Sequence, residues 1–416
     1  MELNTVFLIL GCTFGFVMAW GLGANDVSNA MGTSVGSGAI SLRQAIVIAI
    51  IFEFLGAFLV GGEVTNTIRR GIIDPSLLAN EPNTLVVGML ASLFATGLWL
   101  VIATHFGWPV STTHTIVGAV VGFGAIGISF QAVQWSAILP ISLGWIFSPL
   151  LGGILAYLLF TSVQRLILDT PSPLLNAIRL LPIYVFLTAL ICVSITLHAG
   201  LPNLNIHLPF LSAQLLAVGI SIVIALLSML KVRFIKFDEK ADLHFHYANV
   251  ERVFSLLMIF TACAMAFAHG SNDVANAIGP LSAVVSIVDT GEVTQATTIP
   301  QWVLLLGASG IVAGLLMYGH RVIATIGEGI TQLTPTRGFS ATLAAATTVV
   351  MASGTGLPIS TTHTLVGAIL GVGLARGMDA LNLTVIRNIF MSWVVTLPAG
   401  VILSVLTFWT LKWCLL

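Results

Sequence analysis

The sequence predicts an all-α polytopic membrane protein, built as an inverted-topology repeat with broken helices and two re-entrant helical hairpins. Three observations carry that fold class. Of the 416 residues, 57% are apolar and only 7% charged, with a mean hydropathy of +1.04, whereas soluble domains carry about 25% charged residues. Apolar runs of the ~20 residues that cross a bilayer core recur from end to end. Two polar motifs interrupt those runs, and each is written once in each half of the chain, in the same order.

The apolar runs place helices at 4–40, with a polar break near 23–29, and at 44–61, 84–104, 108–128, 135–160, 180–198 and 211–231. After a polar connector at 232–252 come 253–288, 300–319, 340–356, 357–375 and 385–411. The chain divides accordingly. A first repeat covers 1–160 with its hairpin near 84–128, extra helices and the connector cover 161–252, and a second repeat covers 253–416 with its hairpin near 340–375. The first apolar segment lacks a basic leader and a cleavage site, so it reads as a mature helix rather than a signal peptide. Cys12, Cys192, Cys263 and Cys414 are scattered singly, which implies neither a zinc site nor a disulfide framework. A net charge of −1 leaves no footprint for nucleic acid.

The first duplicated motif is Gly23-Ala24-Asn25-Asp26-Val27-Ser28-Asn29-Ala30, which returns as Gly270-Ser271-Asn272-Asp273-Val274-Ala275-Asn276-Ala277. The second runs from Trp108-Pro109-Val110-Ser111-Thr112-Thr113-His114 and returns as Leu357-Pro358-Ile359-Ser360-Thr361-Thr362-His363. Gly122 with Gly371 and Pro149 with Pro398 repeat at the same offset. Duplication of this kind is the sequence mark of a secondary transporter. Charge bias orients the copies. If 109–128 and 357–375 are returning arms of hairpins, the first half crosses the membrane an odd number of times. With the connector in the cytoplasm, both termini lie outside, and of the 15 Lys and Arg residues all but Arg69, Arg70 and Lys412 fall inside. The second repeat then enters from the opposite side to the first. Short loops favour the plasma (inner) membrane of a prokaryote.

An ionised Asp inside a membrane helix costs roughly 3 kcal/mol or more and needs a partner or a task. Asn25 and Asn29, four apart, share a helix face, with Asp26 beside Asn25 and three before Asn29, and Asn272, Asp273 and Asn276 repeat the spacing. Each cluster offers the oxygens that hard cations prefer, and Gly21, Gly23 and Gly32 permit a break that frees carbonyls to join them. The plainer account is interhelical hydrogen bonding with small-residue packing, Gly32 and Gly36 included. Duplication favours cations.

In the second motif a proline stops one arm, and Ser111-Thr112-Thr113 or Ser360-Thr361-Thr362 begins the next. Hydroxyls and unpaired N–H groups at a helix start form a neutral anion site. Ordinary capping is the plainer account, and the paired placement favours the anion. His114 and His363 read as structural, and a Ser111–His114 nucleophile lacks a third orienting group. Glu53, alone among large apolar residues, is a candidate coupling carboxylate, or is paired with Arg69 or Arg70. Glu63, Arg69, Arg70, Asp74 and Glu81 read as an interfacial segment.

These paired motifs, together with Gly32-Thr33-Ser34-Val35-Gly36-Ser37-Gly38 and Gly338-Phe339-Ser340, resemble the PiT family of inorganic phosphate transporters. The resemblance covers nearly the whole chain outside the connector and 180–231. It implies an inverted-repeat fold that carries phosphate inward with a cation, sodium in many members and protons in others. The connector is far shorter than the large cytoplasmic loop of animal members, so regulation through such a loop is not expected. Some relatives carry sulfate or metal–phosphate complexes.

Electrostatics reach coupling by a separate route. Asp26 and Asp273 bring two negative charges, and hydrogen phosphate brings about two more near neutral pH. Neither motif holds a Lys or Arg. Two like unit charges 4 Å apart repel by ~4 kcal/mol at an effective dielectric near 20, so cations must accompany the anion. The expected phosphate ligands are therefore Ser111, Thr112, Thr113, Ser360, Thr361, Thr362, Asn25 and Asn272. The expected sodium ligands are Asp26, Asn29, Asp273 and Asn276, with Asn25 and Asn272 open to either ion. No catalysis and no cofactor beyond co-transported sodium are expected. Partners are phosphate, sodium or protons and the lipid bilayer; a homodimer is one candidate assembly, and the sequence does not fix the oligomeric state. The rivals are proton-coupled phosphate or sulfate symport, a passive anion channel and an intramembrane hydrolase.

Overall fold

Among the described residues every named element is helical, and one isolated bridge, Ile73 to Val133, is the sole strand-like pairing. The computed structural model describes residues 2–108, 110–198, 208–235, 237, 247–293, 299–319, 333–377 and 382–416. Side chains of Ser28, Asn29, Glu63, Arg70, Pro75, Leu383, Thr384, Val385 and Asn388 lie outside that description, as do Pro109, the basic residues Lys236, Lys240 and Arg321, and most of the loop at 199–210.

The expected helix over 4–40 is α1 (Leu3–Asn25) followed by α2 (Val27–Gly36). The break is one residue, Asp26, whose N–H still reaches the Leu22 carbonyl at 2.8 Å. α3 (Leu42–Val60) starts slightly before the expected 44, because Ser41 and Gln44 close a reciprocal capping box. α4 (Gly62–Arg70) is helical where the sequence suggested only an interfacial segment. Beyond it Asp74 accepts from the Ser76 N–H at 2.9 Å and hydroxyl at 2.7 Å, which holds its carboxyl below the usual carboxylate range.

α5 (Pro82–His105) and α6 (Thr112–Gly122) form the first hairpin. Asp74 N–H bonds to the Ala132 carbonyl and Gln134 N–H to the Ile72 carbonyl, both at 2.8 Å. The chain entering α5 is thus stitched to the chain leaving α6, so the hairpin returns to its own side. The arm expected from 108 begins only at Thr112, because a left-handed turn intervenes. Gly107 (φ +65°) and, in the second hairpin, Gly356 (φ +70°) occupy a conformation that only glycine adopts cheaply. In both tips the next N–H closes the turn, Trp108 to Ala103 and Leu357 to Ala352.

Then come α7 (Trp135–Val163), α8 (Pro173–His198) and α9 (Phe210–Val232). α8 begins earlier than the expected 180, since proline is well accepted in a first helical turn. The second half comprises α10 (Ala248–Thr290), α11 (Gln301–Gly314), α12 (Pro335–Gly354), α13 (Thr361–Arg376) and α14 (Leu383–Leu415). α10 runs 43 residues through the second Asn-Asp motif with Pro280 inside it; proline has no N–H, so the Asn276 carbonyl loses its helical donor there. The returning arm expected over 357–375 starts at Thr361, after the tip.

Contacts between the halves come in mirrored pairs. α1 packs on α11 and α10 on α3; α6 packs on α14 and α13 on α7. A Cβ added at Gly23 would strike the Ile311 carbonyl, and one added at Gly270 would strike the Glu53 carbonyl. Glu53 and Ile311 are therefore equivalent positions. Nine helices among the described residues are long and apolar enough to cross a membrane, whereas Thr112–Ile128 is shorter. The chain is a multi-pass membrane protein.

α8 and α9 form an appended pair. Ala213, Ala217, Ser221, Ala225 and Ser228 are buried on one stripe of α9, and Leu211, Leu215, Leu226 and Leu230 are exposed on the rest. Small residues let two apolar helices approach where no hydrophobic force drives them together. Ser221→Leu is expected to destabilise the fold by about 1–3 kcal/mol, read as thermal unfolding of the detergent-solubilised protein, with Ser221→Ala close to neutral.

Candidate functional site

The two hairpin tips meet each other. Ser111 and Ser360 cap α6 and α13, their hydroxyls accepting from the N–H of His114 at 3.3 Å and of His363 at 3.2 Å. That contact is backbone capping, which removes the case for a Ser111–His114 nucleophile. Thr113 Oγ1 donates to the Ile359 carbonyl at 3.0 Å, and Thr362 Oγ1 donates to the Val110 carbonyl at 3.3 Å. Each tip thus closes a backbone acceptor of the other. The first amides of both helices, at Thr112, Thr113, Thr361 and Thr362, have no intrahelical acceptor. All six Ser and Thr residues of the tips are at most 2% exposed.

The Asn-Asp motifs pack onto these tips. Thr112 donates to Asp26 Oδ2, and Thr361 to Asp273 Oδ2 at 2.7 Å. Four hydroxyls expected at phosphate therefore have a first use inside the protein, two on the aspartates and two across the tips. Asn25 Nδ2 reaches Thr104 Oγ1 at 3.1 Å and the Trp108 carbonyl at 3.3 Å. Asn272 Nδ2 makes the matching bonds, to Ser353 Oγ at 3.1 Å and the Leu357 carbonyl at 3.4 Å. Asn276 Nδ2 reaches Thr113 Oγ1 at 3.3 Å; the side chain of Asn29 lies outside the described residues. Thr104 and Ser353 escaped the sequence reading, although both are hydroxyl residues at matched positions ahead of the tips.

With their nitrogens spent on the hairpins, Asn272 and Asn276 keep oxygen to offer. Asp26 Oδ1, Asp273 Oδ1, Asn272 Oδ1 and Asn276 Oδ1 are buried and make no hydrogen bond. Buried oxygens without donors are costly, and a hard cation is the ligand such a set satisfies. Ligand atoms of Asp26, Asp273 and His269 all lie within 4.8 Å of one another.

His269 was missed. It stands four residues before Asp273 on α10, and its Nε2 lies 2.7 Å from Asp273 Oδ2, off the line of a hydrogen bond. Its Nδ1 lies 2.8 Å from Glu53 Oε2, and both side chains are fully buried. Glu53 is therefore partnered by His269, and the side chain of Arg70 lies outside the described residues. The first half has Leu22 where the second has His269, and Ile311 where the first has Glu53. Comparing the copies for likeness conceals this one-sided chain. His114 and His363 pack against each other with ring centroids 4.3 Å apart, flanked by Trp145 and Trp393.

Thr361→Val deletes the donor to Asp273 Oδ2 while keeping side-chain volume. Cation affinity at the Asp273 oxygens is expected to change by about tenfold, the scale of one charge-assisted hydrogen bond, with Thr364→Val, whose hydroxyl serves the Ser360 carbonyl, nearly silent.

Residues 22–404 match the pattern of the phosphate transporter family, a span that includes both Asn-Asp motifs and both tips. The chain belongs to that family. Its relatives include a Haemophilus influenzae protein named "Putative phosphate permease", 54% identical over 406 residues, which cover 96% of this chain and 95% of the relative. An Arabidopsis thaliana protein named "Inorganic phosphate transporter 2-1, chloroplastic" is 43% identical over 95% of this chain and 70% of its own length. A solved structure titled "The sodium-dependent phosphate transporter" superposes with a TM-score of 0.91 at 40% identity, covering 98% of this chain and 99% of that one. The family is one of phosphate carriers rather than enzymes, and the inverted-repeat fold with two hairpins is the one this structural neighbour shares.

Proposed function

We propose that the chain imports inorganic phosphate across the plasma membrane together with sodium ions, by alternating access. One observation carries the reading: unpartnered buried oxygens of Asp26, Asp273, Asn272 and Asn276 gather against two uncharged helix starts. Among the described residues no Lys or Arg pairs with either aspartate. Even a charged His269 offsets only one of the three carboxylates of Asp26, Asp273 and Glu53. Sodium at the Asn-Asp oxygens supplies the missing positive charge, and phosphate then takes the helix-start amides of Thr112, Thr113, Thr361 and Thr362 beside the Ser111 and Ser360 caps. Entry of the anion releases the threonine hydroxyls from their present partners. The repeats, 1–160 and 253–416, then rock about the shared tips, with the connector in the cytoplasm and both termini outside, as the charge bias supports.

Radiolabelled phosphate uptake into proteoliposomes tests this. An inward sodium gradient is expected to drive accumulation that excess sulfate does not block. Accumulation driven only by a proton gradient, or blocked by sulfate, would transfer the reading to the corresponding symporter. Equilibration without accumulation would make the chain a passive channel.

A further inference from the structure

A groove of about 440 Å³ separates the appended α8–α9 pair from the core. One wall is α8 at Ala189, Cys192 and Val193, and the other is α10 at Cys263 and Ala264. These small side chains leave a slot rather than a face. A helix is ~10 Å across with its side chains, so a second copy's helix does not enter it. The slot follows α10 from Leu256 to Phe267, which at 1.5 Å per residue is ~16 Å, close to the ~15 Å of one leaflet's hydrocarbon.

The two ends differ in chemistry. Phe267 of α10 and Leu197 of α8 are the lining residues farthest along those helices, and Phe52 of α3 lines the groove with them. The mouth lies where α9 ends and α10 begins, on the connector side, and Lys231 of the last turn of α9 lines it. Arg233 follows two residues later, and Arg252 stands four residues before Leu256 on the same face of α10; both are exposed. An apolar slot one leaflet deep with a basic mouth matches a lipid tail beneath an anionic headgroup. Lysine suits the junction, its stem lying on apolar surface and its ammonium at headgroup level.

We propose that this groove holds one acyl chain of an anionic phospholipid from the connector-side leaflet, with Lys231 at its phosphate. The chain end rests on Phe52, next to Glu53 in sequence, and on Phe267, two residues before His269. The lipid thus backs the wall behind the buried Glu53–His269 contact.

The test uses the full chain in bilayers doped with photoreactive phosphatidylglycerol or phosphatidylcholine carrying a diazirine near the acyl terminus, with cross-linked peptides read by mass spectrometry. Cross-links are expected to concentrate on 185–197 and 256–267, with phosphatidylglycerol favoured by about fivefold, the equivalent of the roughly 1 kcal/mol one lysine contributes at an anionic leaflet. Lys231→Gln should bring the two lipids to near parity. Ala264→Trp should abolish cross-links in those segments while the outward faces of α7 and α14 stay labelled, which controls for folding. Inorganic phosphate should not compete. Equal labelling by both lipids in the unaltered protein, labelling spread evenly over all outward helices, or loss of labelling with inorganic phosphate would each overturn the proposal.

Discussion

Asp273→Asn is expected to raise the sodium concentration for half-maximal phosphate uptake by about a hundredfold. A unit charge ~4 Å from a cation contributes ~4 kcal/mol at an effective dielectric near 20. The amide oxygen that remains still ligates, so a loss of ~3 kcal/mol, or about two decades, is the expected remainder. The substitution keeps an acceptor for the Thr361 hydroxyl at 2.7 Å, so the tip need not move. Asp26→Asn should act the same way, since Thr112 holds Asp26 as Thr361 holds Asp273. Sodium titration of uptake in proteoliposomes measures both. Unchanged sodium dependence in either variant would sink the cation role of that aspartate.

The second large effect concerns the chain Glu53–His269–Asp273. His269→Leu alone leaves Glu53 buried without its partner, and Glu53→Ile alone leaves His269 against Asp273 only. Removing one member of a buried pair typically costs about 3–5 kcal/mol, whereas replacing both with apolar residues is often neutral. The symmetry-related position already shows the apolar solution, with Leu22 of the first half packed beside the segment that carries Ile311 of the second. Each single variant should therefore unfold at markedly lower temperature, and the double variant Glu53→Ile with His269→Leu should recover most of the loss. If the double variant is as unstable as the sum of the singles, the two residues are not a coupled pair.

The parts of the site that were legible in the sequence are those with an uncommon cost. A carboxylate in an apolar run has few inexpensive explanations, so Asp26 and Asp273 stood out alone, and duplication made them a pair. The tips were legible because Pro-x-Ser-Thr-Thr states a stop and a start. Partners were not legible. Which acceptor Thr113 finds depends on Ile359, 246 residues later, and no local pattern encodes that. Glu53 was recognised as unusual, but its nearest basic candidates in sequence misdirected the pairing. His269 was hidden by the repeat itself, because the first copy carries Leu22 there. The helix at Gly62–Arg70 was obscured by its polar composition, which fits an interfacial strand of chain equally well.

The reciprocal bonds between the tips also bear on how the molecule is made. The Val110 carbonyl and the Thr113 hydroxyl find their partners at Thr362 and Ile359. At about 5–20 residues per second, the 246 residues that separate Thr113 from Ile359 take roughly 12–50 s to synthesise. Throughout that interval the first tip has no second tip to close it. The nascent first half must therefore wait in an unfinished state, its polar end hydrated or sheltered by insertion machinery, and the site comes into being only when the last third of the chain arrives.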